Sequence, residues 1–98
     1  MNHTDYTPKP IDTSNIELSD ELLNLIEEMA VNVHEVWAAA RMEQGWRYGL
    51  HRDDTNKLHP CLLPYDTLPE TEKTYDRNTA VETLKFILKQ GFNISRNS

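Results

Sequence analysis

Residues 20–44 form an unbroken stretch, free of proline and glycine, whose apolar side chains recur at helical spacing. At 100° per residue Leu22, Ile26, Met29, Val33, Val36, Trp37 and Ala40 fall in one stripe, while Asn24, Glu27, Glu28 and Glu35 lie opposite. Ser19 is placed to cap the start, Asp20 and Glu21 suit the positive end of the helix dipole, and Gly45 stops the helix. About 25 residues at 1.5 Å each make a rod of roughly 37 Å, so this helix must be the spine of whatever a chain of 98 residues folds into.

A chain this short has room for one domain with a thin core. Residues 1–18 contain two prolines and several Asx, Ser and Thr residues without periodicity, and read as an arm held by Ile11 and Ile16. Between Trp46 and Arg77, Pro60, Pro64, Pro69 and the turn-prone segment Arg52–Lys57 exclude a long helix. Thr67-Leu68-Pro69-Glu70 has capping-box spacing and predicts a turn or two of helix over 70–75. Trp46, Tyr48, Leu58, Leu62, Leu63, Tyr65, Leu68 and Tyr75 are available to anchor this connection to the spine, which makes it an ordered loop. A last helix is expected over 79–90, capped by Asp76 or Asn78 and ended by Gly91. Ala80, Val81, Leu84, Ile87 and Leu88 would face the spine and Phe86 would point away. The tail 95–98 carries no pattern. The fold expected is mainly α: two antiparallel helices bridged by a long ordered loop with a short helical turn, a small irregular helical domain.

The net charge of −6 resides wholly in residues 1–28, and the remainder is balanced. Such a distribution offers no footprint for a phosphate backbone, so nucleic acid is not expected as a partner. No segment has the ~20 apolar residues of a membrane span, and Met1–Lys9 lack the layout of a secretory signal. A single cysteine, Cys61, excludes an internal disulfide and suits a reducing, cytoplasmic setting.

His34-Glu35-Val36-Trp37-Ala38, Arg41 and Gln44-Gly45-Trp46-Arg47-Tyr48-Gly49 together resemble the opening motif of the ryanodine receptor repeat domain. The similarity continues through Arg52-Asp53-Asp54, Lys57-Leu58-His59-Pro60, Leu63-Pro64-Tyr65 and Leu68-Pro69. It closes with Tyr75-Asp76-Arg77-Asn78-Thr79-Ala80, Glu82-Thr83-Leu84-Lys85 and Gly91-Phe92, and so covers about residues 27–94 within a repeat domain of 19–94. The chain departs from the family pattern at Leu50-His51, where a proline more often follows the glycine, and at Phe86. The resemblance implies a mainly helical repeat, paired in the giant calcium-release channels and single-copy in stand-alone prokaryotic proteins, the type expected here. Channel activity does not carry over to a chain without a membrane span. Binding of an adenine-nucleotide-type ligand is the most concrete role the resemblance implies.

The residues themselves point away from catalysis. His34, His51, His59 and Cys61 make no zinc-site spacing, and Cys61 has no orienting base pattern, so neither a metal nor a cofactor is expected. The Gly45–Gly49 run lacks both the Walker lysine and GxGxxG spacing and reads as a helix stop and turn. Paired carboxylates such as Asp53-Asp54 or Glu70/Glu72 sit in segments that give no reason for unequal acidity. The expectation is therefore a non-catalytic binding domain. A small anionic or nucleotide-like ligand would stack on Trp37 or Trp46 and meet Arg41, Arg52 or Arg77, with Tyr48, Asp53 and Tyr65 on the same loop side. The plainer alternative makes both indoles core and the chain a protein–protein assembly module. Met42 and Phe86, outside the two core stripes, would then mark a homodimer interface.

Overall fold

A computed structural model describes residues 5–97. Helix α1 spans Asp20–Glu43 and helix α2 spans Glu70–Lys89. Between them lie two short strands, β1 (Arg47–Tyr48) and β2 (Leu58–His59), and a 3-10 turn over Tyr65–Thr67. The helices pack against each other and run antiparallel: Leu23 near the start of α1 shares a groove with Val81 and Lys85, whereas Trp37 and Arg41 share one with Glu72 and Asp76.

Helix α1 begins and ends as its sequence dictates. The Ser19 hydroxyl accepts from the Leu22 N–H, satisfying one of the free donors of the first turn. At the other end Gly45 takes φ 95°, and the N–H groups of Gly45 and Trp46 bond back to the carbonyls of Met42 and Arg41 at 3.0 Å each. This reversal is a Schellman motif, and a glycine at its turning point avoids the strain a side chain would meet. Two cations finish the cap: Lys57 Nζ donates to the Gln44 carbonyl at 2.9 Å, and Arg47 donates to the carbonyl of Met42.

The face that α1 buries is not the expected stripe. Ala30, His34 and Ala38 are its buried residues, while Val36 and Ala40 are exposed and Leu22, Ile26, Met29 and Val33 are half-buried. The buried line is turned about a third of a revolution from the row of large apolar side chains. Close approach of a second backbone favours small residues, so two alanines and a hydrogen-bonded histidine occupy the contact and the branched residues flank it.

The second correction concerns α2. It is one continuous helix from Glu70, where a separate turn over 70–75 and a helix from 79 were expected. No glycine or proline interrupts 70–89, so the potential caps at Asp76 and Asn78 have no break to occupy. Nor does Thr67 form a capping box: its hydroxyl donates to the Pro64 carbonyl at 2.8 Å, and Pro69 begins the helix without a side-chain cap. The inward face of α2 agrees with expectation, with Ala80 and Leu84 buried, Val81, Ile87 and Leu88 half-buried, and Phe86 outward.

The connection is ordered by two small clusters. Tyr65 and Leu68 pack on Ala30, and Trp46 and Leu62 pack on Ala38. Tyr48 and Tyr75, expected as further anchors, are largely exposed. Strands β1 and β2 pair in parallel, Arg47 opposite Leu58 and Tyr48 opposite His59, and Leu58 also bridges antiparallel to Asp53. In the arm the buried anchor is Thr13, whose hydroxyl donates to Glu82 at 2.8 Å; Ile16 is half-buried and Ile11 exposed.

Gly49 follows β1 where the two strands come closest, and a Cβ there would lie 2.6 Å from the Leu58 Cβ. Gly49→Ala is expected to force the pair apart at a cost of about 1–3 kcal/mol, read as a lowered denaturation midpoint.

Candidate functional site

The Schellman turn carries the chain back across the end of α1, which places Trp46 beneath Arg41. The Arg41 guanidinium lies 5.1 Å from the Trp46 ring centre and 5.9 Å from that of Trp37, and Arg52 reaches the Trp46 ring at 6.0 Å. Two cations therefore rest on one aromatic floor, an arrangement that holds guanidinium groups in place without neutralising them. Arg52 also bonds Asp54 at 2.8 Å on the surface, while Arg41 has no acid within ion-pair distance among the described residues.

His59 completes the floor, edge-on to Trp37 at 5.0 Å and to Trp46 at 6.2 Å. Its Nδ1 accepts the Cys61 N–H at 3.0 Å, which ties the loop after β2 and leaves the ring proton on Nε2. Burial, with Arg52 and Arg41 adding to it, holds the His59 pKa below the ordinary histidine value, so the ring is neutral at pH 7. His34 stacks on Trp37 at 5.6 Å.

These groups form one wall of a cleft of about 370 Å³, within the usual range for small-molecule sites. A second wall comes from α2: Glu72, Tyr75 and Asp76 share one edge of the helix near its start, with Leu68 also lining the cleft. Burial pushes the Asp76 carboxyl above the usual aspartate value, with His34 opposing that shift. Cys61 also lines the cleft, and burial raises its thiol pKa, with Glu72 and Asp76 adding to the effect. A thiol held protonated in this way is the reverse of an activated nucleophile. Among the described residues no group of three His, Cys, Asp or Glu side chains converges as metal ligands would.

Of the residues singled out from the sequence, Trp37, Arg41 and Arg52 line this cleft. Trp46 is buried under it, 8 % exposed, as the support of both arginines. Four others stand outside. Tyr48 is exposed on β1. Asp53 serves its own turn, accepting from the Asn56 backbone at 3.1 Å and side chain at 2.8 Å. Tyr65 is buried and its hydroxyl donates to Glu27 at 3.2 Å. Arg77 is engaged by acids, donating to both oxygens of Glu27 at 2.6 and 3.0 Å and to Glu70 at 3.2 Å. Met42 and Phe86 are half-exposed, but an antiparallel pair puts them at opposite ends of the molecule, so they form no common patch. His34, Glu72, Tyr75 and Asp76 were not anticipated. The last three follow from i, i+3, i+4 spacing once α2 is known to start at Glu70.

The Arg77–Glu27–Tyr65 cluster joins α2, α1 and the 3-10 turn. Arg77 holds the Glu27 carboxyl below the usual glutamate range. The sign follows: this contribution is complete above the ordinary glutamate pKa and is lost as pH falls through the lowered value. Glu27→Gln is expected to flatten the acid side of the stability–pH curve, measured by urea denaturation at a series of pH values.

A comparison with protein families decides the membership. The family model of the RyR domain matches residues 6–96. The chain is a member of the RyR domain family. The match reaches from the arm to the tail and includes both helices, both strands and every residue of the cleft. No helix among the described residues of this RyR domain is long and apolar enough to cross a membrane.

Proposed function

We propose that this RyR domain is a non-catalytic binding module that takes a small anionic, nucleotide-like ligand in the cleft between α1, the β2 loop and α2. The observation that carries the reading is Arg41, poised over two indoles with no ion-pair partner among the described residues. A guanidinium fixed by aromatic faces keeps its hydrogen-bond donors free for a phosphate or carboxylate, and Trp37 offers a half-exposed ring for a planar group. The Cys61 thiol, its pKa raised by burial, supports a site that binds rather than reacts.

A thermal-shift series with nucleotides and related anionic metabolites, with tryptophan emission followed in parallel, tests the proposal. Saturable stabilisation that grows with ligand concentration supports it; a flat series with unchanged emission rejects it.

One observation favours a second reading, an assembly module. Of the stripe on α1 expected to face α2, Met29 and Val33 instead border an open groove together with Leu25, and Val36 lies exposed. A homodimer through this face would show a mass near twice 11.4 kDa by light scattering. A clean monomer at high protein concentration eliminates it.

A further inference from the structure

We infer that the outer face of α1 is a docking seam for an amphipathic helix of another protein, one with lysine or arginine along the flanks of its apolar stripe. The inference shares with the assembly reading only the unpartnered face; it holds for a monomer and is independent of the cleft.

Leu22, Met29 and Val36 recur every seven residues along α1, and Ile26, Val33 and Ala40 repeat the interval beside them. Leu25, Asn32 and Ala39 form a third row at the same interval. Together the rows make one continuous helical face, the pattern by which two helices interlock side chains along a seam. Contacts within the domain use other positions, since Ala30, His34 and Ala38 are buried about a third of a revolution away. The seam itself is half-buried or open, with Leu25 41 % and Val36 62 % exposed. Two grooves border it, one along Leu25, Met29 and Val33 and one between Leu22, Leu25 and Ile94 of the tail.

Charge decides the occupant. Glu21, Glu28 and Glu35 form a fourth row at the seven-residue interval, each directly before Leu22, Met29 or Val36. All three are exposed, and none makes an ion pair among the described residues. In paired helices the residues flanking an apolar seam meet one another and select the partner. From Asp20 to Ala40 the helix has no lysine or arginine, and among the described residues Arg96 of the tail is the one cation lining either groove. A second copy laid antiparallel would set the glutamate row against itself, and a parallel one would set it against Ile26, Val33 and Ala40. Neither arrangement forms an ion pair along the seam. An anionic membrane surface would be repelled by the same row. A helix with cations beside its apolar stripe answers both features at once.

Three synthetic peptides of about 21 residues test this by fluorescence anisotropy, each three heptads long. One carries leucine along the seam and lysine on the flanks, the second replaces the lysines with glutamate, and the third scrambles the order of the first. The expected result is saturable binding of the ordered lysine peptide, with a gain of helicity by circular dichroism, and binding about ten-fold or more weaker for the other two. Val36→Asp should abolish that binding, and Glu28→Lys combined with Glu35→Lys should transfer it to the glutamate peptide. Both variants alter exposed side chains, and an unchanged melting temperature verifies their fold. Equal binding of the ordered and scrambled lysine peptides, unchanged binding after the charge reversal, or no binding of any peptide overturns the inference. A mass near twice 11.4 kDa for the chain alone, returned to 11.4 kDa by Val36→Asp, gives the face to a second copy. That outcome overturns the inference and leaves the assembly reading standing.

Discussion

Trp46→Ala is expected to remove about 3–5 kcal/mol of stability, the largest loss of any single substitution considered for this domain. The indole is buried with Ala38 and Leu62 and carries Arg41, Arg52 and His59 on its faces and edge. Truncation therefore opens a cavity and withdraws the support of two guanidinium groups at once. A small domain has on the order of 5–15 kcal/mol in total, so a sizeable share of it depends on one ring. At about 4–8 °C per kcal/mol the melting temperature should fall by more than 10 °C. Trp37→Ala removes a half-exposed ring on the cleft wall and is expected to cost less stability. With only two tryptophans in the chain, each variant leaves a single indole whose emission assigns the signal of the other. Equal melting temperatures for the two variants would contradict the division of labour between a supporting and a contacting ring.

Arg41→Ala is expected to weaken binding of an anionic ligand by about ten- to a hundred-fold, the equivalent of losing charge-assisted hydrogen bonds. The melting temperature should fall less than in Trp46→Ala, because the guanidinium makes no ion pair among the described residues and its stacking on one buried and one half-buried ring is worth about 0.5–2 kcal/mol. Arg41→Lys distinguishes charge from shape: an ammonium keeps the charge but loses the planar fork and the stacking, so recovery of binding should be partial. Arg77→Ala supplies the contrast. That guanidinium is held by Glu27 and Glu70, so its removal should lower stability and leave ligand affinity nearly unchanged in the folded protein. Loss of affinity in Arg77→Ala equal to that in Arg41→Ala would place the anion elsewhere.

Much of the fold was legible because local rules settle it. Ser19, Gly45 and Gly91 mark helix ends through backbone needs that only those residue types meet cheaply. The face of α1 was not legible. Periodicity weights side chains by hydrophobicity, whereas the contact with α2 and the loop is selected by size, through Ala30 and Ala38. A capping-like spacing at Thr67 and at Asp76–Asn78 also concealed the unbroken α2, since such residues cap a helix only where the chain enters one. The cleft was half legible for the same reason. Trp37 and Arg41 sit one turn apart on a helix whose course was clear, but Glu72, Tyr75 and Asp76 come into register only on a continuous α2. His34 is the most instructive omission. A histidine in an apolar helical stretch looks like core, and it is core at Nε2, bonded to Leu63, while the residue also lines the cleft.

Parallel strands are ordinarily joined by a dozen or more residues, yet β1 and β2 are separated only by residues 49–57. The segment manages this by folding on itself: Asp53 pairs back with Leu58, Lys57 adopts φ 56°, and Gly49 passes Leu58 where no side chain would fit. A connection so fully used has no slack. Its length is a dimension of the cleft as much as of the fold, because the same segment carries Arg52 to the Trp46 ring. Sequence change in this RyR domain can therefore alter side chains around the cleft far more freely than it can lengthen or shorten the span that frames it.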